Sequence, residues 1–466
     1  MALATRHFLD RPHRVLLLAV AVVLALEGLR GSQTVDTSAT WPILQAVVAF
    51  AALALVWRRQ ELLRLWPVLG LALVFQVGWV VLHLSIHVHA DFDSIAVYPQ
   101  EGNALLHGRY PDSQYPTGAV SLFAFEALVS GGGAEAVRVA NAFVMVPFEL
   151  IAVAAVWSLR TRWSAWLAAL VAVWPLEAFF WEFRYDLAPT AALLVGLALA
   201  NRSRWAAAGA ALGVGAALKW TPAAAAVVFV VWLLCSGRTR DAVRHTIGFA
   251  SSFLVLTVPY LAVWPTQVLD AYPNQSGRGI NGESLPYQAL RLVGEAHLLP
   301  NGALWSQAVV PGWADPLTIA FQAVCLAAVL AVAVRVRGRL HAAVAVAALA
   351  PVVFLLANWI FSPQYLVTIV AASAVAAALV LRSRRELLLF AVPLLGATLA
   401  NQLVYPSTRP TFWWVAAGTL FLLAGVSTVW LLARAGQSQV TGSSLPFSTW
   451  NTKPVAVNEP GRSGEA

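Results

Sequence analysis

The densest group of residues able to do chemistry runs from His83 to Pro116 and reads HLSIHVHADFDSIAVYPQEGNALLHGRYPDSQYP. It begins where an apolar run ends. A carboxylate at such a boundary is partly desolvated yet open to substrate, so its pKa can be tuned for proton abstraction. Asp91 and Asp93 are the candidates for that role. Both read equally well as caps at a helix end facing water. His83, His87 and Asp91 fall at i, i+4 and i+8, one face of a continuous helix, and three such ligands can hold a divalent metal. No fourth ligand is evident, and the imidazoles serve equally as hydrogen-bond donors between helices. On the same helix Asp93 turns about 200° away from Asp91, so only one of the two shares the histidine face.

Three further positions carry polar chemistry. Lys219 is one of only two lysines and stands between the apolar runs 205–218 and 222–235, followed by Trp220, Thr221 and Pro222. An ammonium at a membrane boundary is costly and calls for a partner, which makes it a candidate for binding an anion; the alternative is a lysine reaching the interface along its own stem. Arg184, Tyr185 and Asp186 form a short polar turn in WEFRYDLAP. Arg184 and Asp186 can pair with each other, or Arg184 can supply a second positive charge to the anion held by Lys219. In NWIFSPQY, Asn358 to Tyr365, the Ser, Gln and Tyr can bond a polyol or a phosphate, and Ser362-Pro363 also suits a helix start.

What must position these groups is a membrane scaffold. Of 466 residues 59% are hydrophobic and 11% charged, and the mean hydropathy is +0.71. A soluble chain carries about 25% charged residues to cover its surface, so most of this surface faces something other than water. Apolar runs predict spans at 14–29, 41–57, 65–89, 136–158, 164–181, 187–201, 205–218, 222–235, 245–264, 315–334, 340–358, 364–381, 386–403 and 411–433. Several are short for a bilayer, and 205–218 with 222–235 read as two half-helices meeting inside the protein, which lowers the count from 14 to 12. The expected fold is an all-α polytopic bundle, residues 1–434. It carries two long outer segments, about 89–135 and 265–315, and a disordered cytoplasmic tail at 435–466. Within the first segment 116–130 is apolar but too short to span, and is expected to lie along the interface before Gly131-Gly132-Gly133.

The net charge of +8 is an orientation signal rather than a nucleic-acid patch. Arg residues cluster at the ends of alternate runs, at 6–14, 58–64, 160–162, 202–204, 238–244, 335–339, 382–385 and 434. With 14 spans, 22 Lys and Arg fall on one side and eight on the other, which places both termini in the cytoplasm. The first apolar run lacks a small-residue cleavage site and reads as a retained anchor. Cys235 and Cys325, the only cysteines, sit in or beside apolar runs and argue against a disulfide framework or a thiolate metal site. The excess of Arg over Lys and the Ala content point to a GC-rich bacterial genome, hence to the bacterial plasma membrane.

Three motifs in order carry a resemblance. The first is Asp, Tyr98, then Ala-Leu-Leu-His-Gly108-Arg-Tyr110-Pro111 and Tyr115-Pro116; the second is RYDLAPTAALLVGLALANRSRWAAAGAALGVGAALKWTP; the third is FSPQYL. Together they resemble bacterial polyprenyl-phosphate-dependent glycosyltransferases of family 87, the mannosyl- and arabinofuranosyltransferases of GT-C architecture. The resemblance covers roughly residues 85–380. It implies inverting transfer outside the cytoplasm, from a polyprenyl-phosphate sugar to a hydroxyl of a glycolipid or polysaccharide, with mannose the first expectation and arabinofuranose the second. The first-loop Asp is then the general base, a role that falls on Asp93 with Asp91 close behind. Lys219 and Arg184 become the cations facing the phosphate, and Tyr98, Tyr110, Tyr115, Gln364 and Tyr365 the substrate-binding residues. The reaction requires no metal and no cofactor, and none is expected.

Two rivals belong to other classes. A transporter or flippase for a lipid-linked sugar would use Lys219 and Asp93 as a binding pair without forming a bond. No internal repeat is visible, and the polar residues crowd one membrane face rather than the midplane, which favours the enzyme. A metal-dependent hydrolase built on His83 and His87 would lose activity to a chelator.

Overall fold

The apolar runs fold as helices. The computed structural model describes residues 64–86, 96–172, 184–276, 279–298, 308–404 and 410–437. The first two expected spans, His87, Asp91, Asp93 and the tail from residue 438 lie outside the described residues, as does the side chain of His83.

The first long segment between spans follows α1 (Leu65–Ile86) and holds α2 (Tyr98–Leu106) and α3 (Thr117–Ser130). A hairpin-like series follows: α4 (Ala134–Trp157), α5 (Ser164–Ala172), α6 (Leu187–Asn201), α7 (Trp205–Leu218), α8 (Thr221–Cys235) and α9 (Thr239–Val263). The second long segment, about 265–315, is more ordered than a loop. It contains α10 (Pro265–Ser276), α11 (Leu285–Leu292) and a two-residue ribbon, β1 (His297–Leu298) against β2 (Ala308–Val309), the only strand pair among the described residues. The chain closes with α12 (Ala314–Arg335), α13 (Leu340–Leu356), a 3-10 turn at Pro363–Tyr365, α14 (Leu366–Val380), α15 (Arg384–Val404) and α16 (Pro410–Gln437). Among the described residues five helical stretches are long and apolar enough to cross a membrane, within α4, α9, α12, the turn with α14, and α16.

Two packing rules build the bundle. α13 and α14 are apolar on every side, and almost every residue from Ala342 to Val352 and from Leu366 to Ala378 is buried, as an all-round apolar helix requires. α9 and α12 instead expose Val255, Leu317 and Val324, apolar side chains that fit lipid. α7 and α9 cross at nearly backbone contact. A Cβ at Gly209 would sit 2.0 Å from the His245 carbonyl oxygen, and one at Gly213 would sit 2.3 Å from that of Phe249. Small residues permit this approach, and van der Waals contact then holds the pair where lipid offers no hydrophobic drive.

The Arg-bearing turns gather at one end of the bundle, here the basic end. Arg202 Nη2 donates to Ser158 O (2.9 Å), Arg162 Nη1 to Arg382 O (3.2 Å), and Arg339 Nη1 to Gly436 O (3.3 Å). Trp163 and Trp232 tie in Leu381 O and Val336 O through their indole N–H groups. α9 begins at Thr239, ahead of the apolar run, because Arg238 and Asp241 close its first turn. Trp205 at the start of α7 lies 5.8 Å from Trp232 near the end of α8, so the two helices fold back on each other around Lys219.

Helix length then shapes the opposite end. α4 and α6 close at the same basic-end turn, but α4 has 24 residues and α6 has 15. At 1.5 Å per residue the far end of α4 stands roughly 13 Å above that of α6. The turns after α7 and before α6 therefore lie well below the far end of α4.

Candidate functional site

Lys219 sits in the turn after α7. It is the extended residue (φ −159°, ψ 137°) between α7 and α8, and its N–H bonds Gly215 O at 2.8 Å. Pro222 stands in the first turn of α8, so the chain leaves the turn with φ already set for a helix. Its ammonium pairs with Asp186 Oδ1 and lies 4.4 Å from the centre of the Tyr365 ring and 5.4 Å from that of Tyr185. An ammonium has three donors. Asp186 takes one, and two ring faces flank the charge.

Asp186 is itself fixed from below. Its carbonyl accepts from Thr190 N–H (3.2 Å) and Thr190 Oγ1 (2.7 Å), and Thr190 Oγ1 meets Thr368 Oγ1 of α14 at 2.6 Å. The sequence leaves Asp186 free to pair with Arg184; the fold gives it to Lys219. Arg184 opens the same turn and is half-buried.

Four rings wall one side. Tyr98 stacks on Phe123 (4.1 Å, 12°), and Tyr115 and Tyr185 stand edge-on to Phe123 at 5.4 and 5.3 Å. Tyr185 also meets Tyr98 and Tyr115 edge-on at 5.8 and 5.5 Å. Burial pushes the Tyr185 phenol well above its ordinary range, so it stays neutral. Close packing puts this wall in place. Gly102 of α2 and Gly118 of α3 lie so near the carbonyls of Phe123 and Ala217 that a Cβ would come within 2.3 and 2.6 Å of them.

The 358–365 segment closes another side. Tyr365 rests edge-on against Phe361 (5.7 Å), and Gln364 Oε1 accepts from Ser362 Oγ at 2.5 Å. The second long segment clamps this turn: Asn281 Nδ2 donates to Phe361 O (2.5 Å), Phe361 N–H to Asn281 Oδ1 (3.1 Å), and Asn281 N–H to Trp359 O (3.0 Å).

Of the residues singled out from sequence, Lys219, Arg184, Tyr98, Tyr115, Gln364 and Tyr365 thus converge. Tyr110 does not join them. It packs against Tyr260 (5.9 Å) and Trp264 (6.0 Å) where α9 meets α10. Asp91 and Asp93, with His87, lie outside the described residues. Among the described residues no three His, Cys, Asp or Glu side chains gather as metal ligands.

One group was missed. Glu101, in the first turn of α2, is 6% exposed, and its Oε2 accepts from Ser113 Oγ at 2.7 Å. Ser113 Oγ in turn accepts from Tyr115 N–H at 2.9 Å. Burial pushes the Glu101 carboxyl up to about 7; the Ser113 bond opposes the rise and the Asp112 carboxylate adds to it. The available signal was the three-residue spacing of Tyr98 and Glu101, which puts both on the inward face of α2. Glu101 also lines a cavity of about 880 Å³ formed by residues 97–114.

The family model of glycosyltransferase family 87 matches residues 114–363, more than half of the chain. The match spans the Lys219 turn, Arg184, Tyr115 and the start of the 3-10 turn. No curated protein and no solved structure matches.

Proposed function

The chain belongs to glycosyltransferase family 87, and from that premise we propose that it transfers a sugar, mannose before arabinofuranose, from a polyprenyl-phosphate donor to a hydroxyl of a membrane glycolipid or polysaccharide. The observation that carries this reading is the part-buried Lys219 ammonium, held by Asp186 between Tyr185 and Tyr365.

The chemistry follows from charge. The donor phosphodiester carries one negative charge, and the departing polyprenyl phosphate gains a second. A fixed cation aimed at the leaving oxygens is worth more in the transition state than in the ground state. Asp186 neutralises part of Lys219 in the resting protein, so Arg184, two residues before Asp186, supplies the remaining positive charge. A phosphate leaves readily, so one base suffices for the acceptor hydroxyl. That base is Asp93, with Asp91 the alternative, and the attack inverts the anomeric carbon. Family membership favours bond formation over transport of the lipid-linked sugar.

Sidedness rests on the two ends of the bundle. The positive-inside rule assigns the Arg-bearing turns to the cytoplasm and the opposite end, with Lys219, to the outer face of a bacterial plasma membrane.

The test is transfer from labelled polyprenyl-phosphate mannose to membrane glycolipids by wild type, Asp93→Asn and Asp91→Asn at equal expression, with and without EDTA. Transfer that persists in EDTA and falls at least about a thousandfold in Asp93→Asn alone supports the reading. Loss confined to Asp91→Asn moves the base. No transfer by wild type with the mannose or the arabinofuranose donor overturns the proposal.

A further inference from the structure

The cavity beside the aromatic wall has no part in the phosphate chemistry, yet it is polar and deep. Its walls come from one stretch of chain, α2 and the turn after it. Glu101 and Asp112 bring acid, Arg109 brings base, and Gln100, Asn103 and Gln114 bring amides. Such a lining has no dominant sign, so it does not select an anion. It offers donors and acceptors in alternation, which is what a ring of hydroxyls requires, and a volume of this size holds more than one sugar ring.

Glu101 is the built part of the site. Ser113 holds Oε2, and the Ser113 hydroxyl is oriented by Tyr115 N–H. Among the described residues Oε1 has no hydrogen-bond partner, so it is left for a ligand in the cavity. Asn103 is similarly fixed: its Nδ2 donates to Gly132 O at 2.7 Å, which leaves the side-chain oxygen as an acceptor. α2 also connects the cavity to the Lys219 centre, since Tyr98, one turn before Glu101, touches Tyr185.

We propose that this cavity binds an uncharged sugar unit of the acceptor, with Glu101 Oε1 accepting from its hydroxyls and Ser113 positioning that carboxylate. The proposal rests on the transferase reading above and names where the acceptor sits.

Two measurements on full-length protein in nanodiscs test it. The first is kinetic: Glu101→Gln raises the acceptor KM at least tenfold and leaves the donor KM within twofold. Ser113→Ala gives a smaller rise of the same kind. An acceptor KM within twofold of wild type, or an equal rise in both KM values, overturns the proposal. The second needs no turnover. On a Cys235→Ser, Cys325→Ala background, Gln114→Cys is labelled with a maleimide. Protection by a mannobiose, lost on adding Glu101→Gln, supports the site; protection by inorganic phosphate alone, or none, overturns it. Absent transfer with intact mannobiose protection condemns the transferase reading and not the sugar site.

Discussion

The two ends of this bundle use the same polar residue types in opposite ways. At the basic end Arg162, Arg202 and Arg339 are exposed or half-exposed, and each donates to a backbone carbonyl of a neighbouring turn. They are many, mutually replaceable, and satisfied by water if removed. At the opposite end Asp186 and Glu101 are buried, Lys219 is part-buried, and each is tied to a named partner. Exposure sets the value of a charge. A solvated arginine is one of a set, whereas a part-buried lysine paired to a buried carboxylate acts alone.

The largest expected effect separates the ends directly. Lys219→Met with Asp186→Asn keeps the packing without stranding a charge, and initial transfer rates fall about 100- to 1,000-fold. Arg202→Met changes them less than about threefold. Lys219→Met alone also costs about 3–5 kcal/mol of stability, because Asp186 is then buried and unpaired. Recovery of folded yield in the double variant without recovery of rate is the diagnostic result; full-rate transfer by the double variant removes Lys219 from the chemistry.

Two glycines set a packed position against an open one. Gly209 has a carbonyl where its Cβ would go, and Gly209→Val loses about 3 kcal/mol or more, read as folded yield and thermal midpoint. Gly237 at the basic end has open space around it and a φ of +71°, so Gly237→Ala pays only the left-handed backbone, about 1 kcal/mol.

Glu101 gives a pH test. Its carboxyl titrates near 7 in the folded protein against 4.5 without the fold. The protonated form is favoured by folding, so this group's contribution is fully present below pH 4.5 and is lost as pH rises through 7. At pH 8 Glu101→Gln is therefore more stable than wild type by up to about 3 kcal/mol, and near pH 4.5 the two converge. A variant that is more stable yet binds acceptor worse marks a residue retained for function. Equal melting curves at both pH values would show that Glu101 is solvated.

The smallest effect lies at the basic end. Arg162→Ala changes stability by less than about 0.5 kcal/mol, measured by thermal unfolding in nanodiscs.

Much of the scaffold was legible beforehand. The runs at 136–158, 187–201, 205–218, 222–235, 315–334 and 340–358 match α4, α6, α7, α8, α12 and α13 within a few residues, because hydropathy and Arg punctuation are written along the chain. Lys219 was legible for the same reason: a lone lysine between apolar runs is conspicuous. The helices inside the two long segments, α2, α10 and α11, were not, since they are short and mixed in polarity and depend on what they pack against.

Sequence by itself determined the membrane class, the helical bundle, the alternation of its ends and the family resemblance, all carried by local composition and spacing. Tertiary structure decided that Asp186 serves Lys219, that Tyr98, Tyr115 and Tyr185 share one wall while Tyr110 stands apart, and that Glu101 is buried beside a polar cavity. Pairing, burial and cavities belong to the neighbours that folding brings in from distant parts of the chain, and no local pattern encodes them.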